Sequence, residues 1–133
     1  MEARELRTQI EQGLGKLIGV YTLPNNRKVK AIAVLKSYET YPPDGTQIEG
    51  LEIVIFYPVP LAIAMLCDYR IENEWTIHLK QWDKTKHLHE ASRQTLKALG
   101  DEVVVKQTLF TPPMESMGLP EMLQIKLSTF EQG

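Results

Sequence analysis

Cysteine is almost missing from this chain: Cys67 is the only one. A single thiol can form neither an intrachain disulfide nor a thiolate metal cluster within one chain, so packing alone must hold the fold. That usage fits a reducing cytoplasm. Cys67 sits beside Asp68 in apolar surroundings, and both neighbours disfavour a thiolate, so no nucleophile is expected there. Histidine is scarce as well, at His78, His87 and His89. The last two are two residues apart, which on a helix places them about 200° around the axis, on different faces. They read as solvated histidines at a helix start, no His-Glu-x-x-His pattern occurs, and no metal site is expected. Gly-x-Ser-x-Gly is absent, and Gly13, Gly15 and Gly19 fit neither the dinucleotide nor the Walker spacing. The carboxylates Asp68, Glu72 and Glu74 fall on a turn and a strand edge, where a solvated face accounts for them. Neither a catalytic centre nor a cofactor is expected.

Two further shortages narrow the function classes. The formal charge is −2 and no run of Lys or Arg stands out, which argues against a nucleic-acid partner bound by neutralising phosphates. Lys28 and Lys30 alternate with Val29 and Ala31, as on the wet face of a strand. The longest uncharged stretch spans residues 53–67, fifteen residues, and contains Pro58 and Pro60. A membrane-spanning helix needs about 20. The first residues, Met1-Glu2-Ala3-Arg4-Glu5, are charged where a signal peptide would be apolar.

What is present is a globular composition in 133 residues, with 43% hydrophobic and 24% charged side chains, which suits a single domain over 1–133. Leu6, Ile10, Leu14 and Leu17 recur at helical spacing and predict a helix over 3–14, ended by Gly13 and Gly15. Strands follow at 17–23 and 28–35, with Pro24-Asn25-Asn26-Arg27 as their hairpin connection. The run Pro42-Pro43-Asp44-Gly45 suits a type I turn. A third strand over 51–57, apolar on both faces after Glu52, reads as central, with Pro58-Val59-Pro60 as its stop and a short helical turn possible over 61–66.

The most legible stretch is 74–100. Trp75, Ile77 and Leu79 face one side of a strand over 74–80, and Glu74, Thr76, His78 and Lys80 the other. Trp75, in phase with that apolar face, reads as core. Gln81-Trp82-Asp83 lead into a second helix over 85–99, capped by Asp83 or Thr85, buried through Leu88, Ala91, Leu96 and Leu99, with Thr95 beside them. Gly100 stands where a left-handed terminator belongs. Strands over 103–110 and 121–127 close the chain. The order is α-β-β-β-β-α-β-β, and its hairpins predict an α+β fold with a mainly antiparallel sheet and two helices packed on it.

Two long connections, 37–47 and 111–120, hold the candidate functional residues. They carry Tyr38 and Tyr41 in the first, and Met114, Met117 and Leu119 in the second, stiffened by Pro112, Pro113 and Pro120. Long loops in compact domains are commonly functional, and Met and aromatic side chains suit partner surfaces. Trp82, at the strand-to-helix corner, joins them as a partner-binding candidate. The opposing reading is that these loops fold back over the domain's own core.

The layout, with Trp75-Thr76-Ile77-His78-Leu79-Lys80-Gln81-Trp82 entering the helix that runs to Leu99, resembles the tail-terminator and tail-completion proteins of long-tailed bacteriophages. The resemblance spans most of the chain in order and length. It departs at the Pro42-Pro43-Asp44-Gly45 loop and the Pro58-Val59-Pro60 break. It implies a non-catalytic virion or prophage structural protein, found in the bacterial cytoplasm or the virion. Its expected partners are copies of itself in a ring, commonly a hexamer, together with tail-tube and head–tail connector proteins. The rival classes are a small-ligand-binding or enzymatic α+β domain, marked by a deep pocket with converging polar groups, and a partner-binding regulatory module, marked by one dominant apolar patch.

Overall fold

The structure, a computed structural model, describes residues 1–36, 38–64, 69–83, 88–100 and 103–132. Its elements run α1 (Ala3–Leu14), β1 (Val20–Thr22), β2 (Lys28–Lys30), β3 (Ile32–Leu35), β4 (Gln47–Glu49), β5 (Leu51–Ala64), β6 (Tyr69–Gln81), α2 (Leu88–Ala98), β7 (Val104–Thr111) and β8 (Glu121–Gln132). The class is α+β. A five-stranded sheet has the order β3-β5-β6-β8-β7, and a three-stranded sheet the order β2-β1-β4. Among the described residues every pairing between these strands is antiparallel except β3 with β5.

One face of the large sheet carries the core. Ile53 and Ile55 of β5, Trp75, Ile77 and Leu79 of β6, and Ile125 and Leu127 of β8 are buried there against Leu6, Ile10 and Leu14 of α1 and Leu88 and Ala91 of α2. The period-two alternation of β6 continues in register across β8, where Ile77 faces Ile125 and Leu79 faces Leu123. Trp75 is core as expected, and its indole Nε1 donates to Thr129 Oγ1 at 3.0 Å. The two helices approach closely because α1 has Gly13 at the crossing: a Cβ there would lie 2.4 Å from Ala98 Cβ.

The segment 28–35, expected as one strand, belongs to two sheets. Ala31 separates β2 from β3, and Gly50 likewise separates β4 from β5. At this seam a Cβ on Gly19 would meet Glu49 O at 2.0 Å, so only glycine permits the backbones to approach. The hairpin at Asn25-Asn26 forms as its chemistry dictates, with Asn26 at φ 67° and Leu23 N–H donating to Arg27 O. β4 is an additional strand, arising at the end of the long first connection.

Four local expectations are corrected. Pro58-Val59-Pro60 does not stop β5, and 61–64 is strand instead of a helical turn. β3 accompanies β5 only through Phe56, so the prolines lie along a stretch of β5 with no neighbour on that side, where a missing N–H costs no ladder bond; a register shift between Phe56 and Val59 accompanies them. Leu96 is 39% exposed, because the buried stripe of α2 runs through Leu88, Ala91 and Thr95, and the residue after Thr95 is rotated about 100° away. Gly100 has no left-handed φ; Gly15, which ends α1, does, at 49°. The turn in the first connection is closed by Thr46 N–H to Pro43 O with Gly45 at φ 87°, which is the type II pattern one residue later than the type I frame read from Pro42. Residues 65–68, which include Cys67 and Asp68, and 84–87, which include Thr85 and His87, lie outside the described residues.

Candidate functional site

Along β7, seven of eight residues are exposed, and Val104, Val105, Leu109 and Phe110 alternate onto both faces. The cause is topological. β7 is the last strand of the large sheet, and α2 packs mainly over β6 and β8. Phe110 is left 54% exposed beside a groove of about 480 Å³ between β7 and α2, lined also by Leu88, His89 and Leu123. An edge strand presents unpaired N–H and C=O groups, and β7 contains no proline to blunt it. One irregularity, between Val105 and Gln107, bulges Lys106 out of the ladder.

Lys106 is held by carboxylates of β6, reached across the intervening β8. Its Nζ lies 3.0 Å from both Glu72 Oε2 and Glu74 Oε2, while Lys126 Nζ lies 3.8 Å from Glu74 Oε1. The hydrogen bond from Lys106 holds the Glu74 carboxyl below its usual range, and the same contacts raise the Lys106 ammonium above its own. These three strands thus carry a largely compensated charge cluster, on the sheet face away from the helices.

The partner-binding candidates separate into two places. Trp82, Met114 and Leu119 converge with Pro112, Pro120 and Met122 around an apolar groove of about 260 Å³ on the helix-free face. The second long connection folds back to build it: Met114 and Leu119 pair with each other through backbone bonds of 3.0 and 3.1 Å, and Gly118, at φ 66°, turns the chain between them. Met117 is exposed at the tip of that loop and does not line the groove. His78 and Lys80 give it a polar floor. Burial pushes the His78 imidazole below its ordinary value, and its Nε2 sits 3.1 Å from Gln124 Oε1.

Tyr38 stands alone, 78% exposed in the first connection. Tyr41 is half turned inward, its ring edge-on to Tyr21 at 5.6 Å. Tyr21 is fully buried and donates its hydroxyl to Glu52 Oε2, while Trp82 Nε1 donates to Glu52 Oε1 at 2.7 Å. Glu52 itself is 2% exposed. Tyr41, Tyr21, Glu52 and Trp82 thereby form a continuous chain of contacts from the first long connection to the groove of the second. Burial, then the bond to Glu52, raise the Tyr21 phenol above its ordinary value.

Sequence reasoning missed the β7 edge and the Glu52 network. The first had a signal, since Val104-Val105 and Leu109-Phe110 put apolar side chains on both faces with only Lys106 charged. The second had none, because Tyr21 and Glu52 are 31 residues apart. Among the described residues no group of three or more His, Cys, Asp and Glu could hold a metal ion, and no helix is long and apolar enough to cross a membrane. No family model matches the chain, and no curated protein matches it.

Proposed function

We propose that this protein is a non-catalytic structural subunit that self-associates into a closed ring, in the manner of the phage tail-terminator and tail-completion proteins it resembles. The observation that carries the reading is β7, an edge strand whose apolar residues lie exposed on both faces. Natural edge strands are ordinarily short, charged or covered. A strand of eight residues carrying Val104, Val105, Leu109 and Phe110 in the open is suited to burial by another chain. The exposed Met117 and Tyr38 add contact side chains away from that edge. Such a ring would sit at the end of a tail tube, with tube and connector proteins as its neighbours.

The test is multi-angle light scattering over rising concentration for the wild type and for Leu109→Asp/Phe110→Asp, alone and with tail-tube protein. The wild type should give a defined oligomer and the variant a monomer. A wild type that stays monomeric in both settings, or a variant that assembles equally well, refutes the reading. A second reading, a partner-binding module, is favoured by the groove of Trp82, Met114 and Leu119. In that case Met114→Asp would abolish binding of a different protein and leave self-association unchanged.

A further inference from the structure

We infer that the ring is closed by strand addition, with β7 of one copy lying antiparallel along the free edge of β3 in the next. The inference rests on the self-association proposed above and names its contact. The large sheet has two outer strands, β7 at one end and β3 at the other. A groove of about 410 Å³ runs beside β3, lined by Ile32, Val34 and Leu35 of the strand and by Tyr41 of the first connection. Length matches: β3 offers four residues, and β7 beyond its bulge offers residues 107–111. At about 3.3 Å per residue this is a ladder of roughly 13 Å.

Charge does not oppose the contact. Among the described residues Arg7, Lys30 and Glu39 line the β3 groove, and residues 107–111 of β7 carry no charge, while Lys106 at the bulge is already held by Glu72 and Glu74.

Direction follows from topology. β3 and β5 are parallel, and three successive antiparallel steps, β5 to β6, β6 to β8 and β8 to β7, set β7 opposite to β3. Rotation about an axis running with the strands preserves these directions, so β7 meets the next β3 antiparallel. Such a contact is heterologous, and it closes into a ring when the rotation divides the circle. The other end of β5, marked by Pro58 and Pro60, cannot substitute for β3, because those residues have no N–H to donate.

The test uses Cys67→Ser chains carrying single cysteines. Val34 packs with the helix-side core, and Thr108 and Phe110 share that face of β7 through their pairing with Ile125 and Leu123, whereas Leu109 is on the other face. Mixing Val34→Cys with Thr108→Cys or with Phe110→Cys under mild oxidation should give a covalent dimer about tenfold or more faster than mixing it with Leu109→Cys, since a disulfide needs Cβ atoms within about 4.5 Å. A chain bearing both substitutions should give a ladder that stops at the ring size. An assembled protein in which the Leu109→Cys control links as fast as the other two overturns the edge contact and leaves self-association standing. A chain that remains monomeric at every concentration, both alone and with tail-tube protein, overturns both.

Discussion

Removing one oxygen atom from the buried network at Glu52 gives the sharpest check on the fold. Tyr21→Phe keeps the ring that packs against Tyr41 and deletes the hydroxyl that donates to Glu52. Glu52 then retains Trp82 Nε1 as its remaining side-chain donor at 2.7 Å, in a site where the residue is 2% exposed. A hydrogen bond to a charged group contributes about 1.5–3 kcal/mol, and a buried carboxylate cannot recover it from bulk water. For a chain of 133 residues each kcal/mol moves Tm by roughly 3–6 °C, so the expected drop is about 5–15 °C. Glu52→Leu should cost more, about 2–6 kcal/mol, because it strands both the Tyr21 hydroxyl and the Trp82 N–H. The double variant should cost less than the two single losses together, since the partners act on one interaction.

The same pair makes a pH prediction. Burial and Glu52 raise the Tyr21 phenol above its ordinary value of 10.0. A raised pKa means that the folded state holds its proton more tightly than the unfolded one. The associated stability is complete below pH 10.0 and is lost as pH climbs from there toward the folded value. Urea unfolding between pH 8 and 11 should therefore show a steeper alkaline loss for wild type than for Tyr21→Phe. If Tyr21→Phe changes stability by less than about 0.5 kcal/mol, or leaves the alkaline slope unaltered, the network is not as buried as described.

Two further outcomes follow from burial. Leu88→Ala should destabilise by about 2–5 kcal/mol as a core truncation, whereas Leu96→Ala, at a 39% exposed position, should stay near 0.5 kcal/mol in thermal unfolding; equal losses would mean the face of α2 is misassigned. The His78 imidazole, depressed by burial, should titrate below 6.5 by NMR. Its stabilising contribution is present above pH 6.5 and lost as pH falls through the folded value; a midpoint at or above 6.5 would show that water reaches the ring freely.

How much of this was legible beforehand depends on the range of the interactions. Helix α1 was readable to the residue, because Leu6, Ile10 and Leu14 recur at the helical period and Gly15 follows. The Asn25-Asn26 hairpin and the alternation through Trp75, Ile77 and Leu79 were readable for the same reason: each signal lies within a few neighbouring residues. The convergence of Trp82 with Met114 and Leu119 was only half legible. Their apolar character was visible, but the turn at Gly118 and the placement of the loop over β8 set the groove.

Tertiary structure alone decided the rest. The sequence of 28–35 has no mark at Ala31 that assigns its halves to different sheets, since that split depends on backbone bonds from Ala31 to Gly19 and from Ile53 to Ala31. Pro58 and Pro60 read as a strand stop because local propensity cannot know that β3 ends at Leu35 and leaves that side of β5 open. Leu96 and Phe110 look like core residues by composition, and both are exposed because α2 is rotated toward Leu88 and Thr95 and packs mainly over β6 and β8. Periodicity reports which residues share a face; which face is covered, and which strand is left at the edge, is fixed by the order in which the strands assemble.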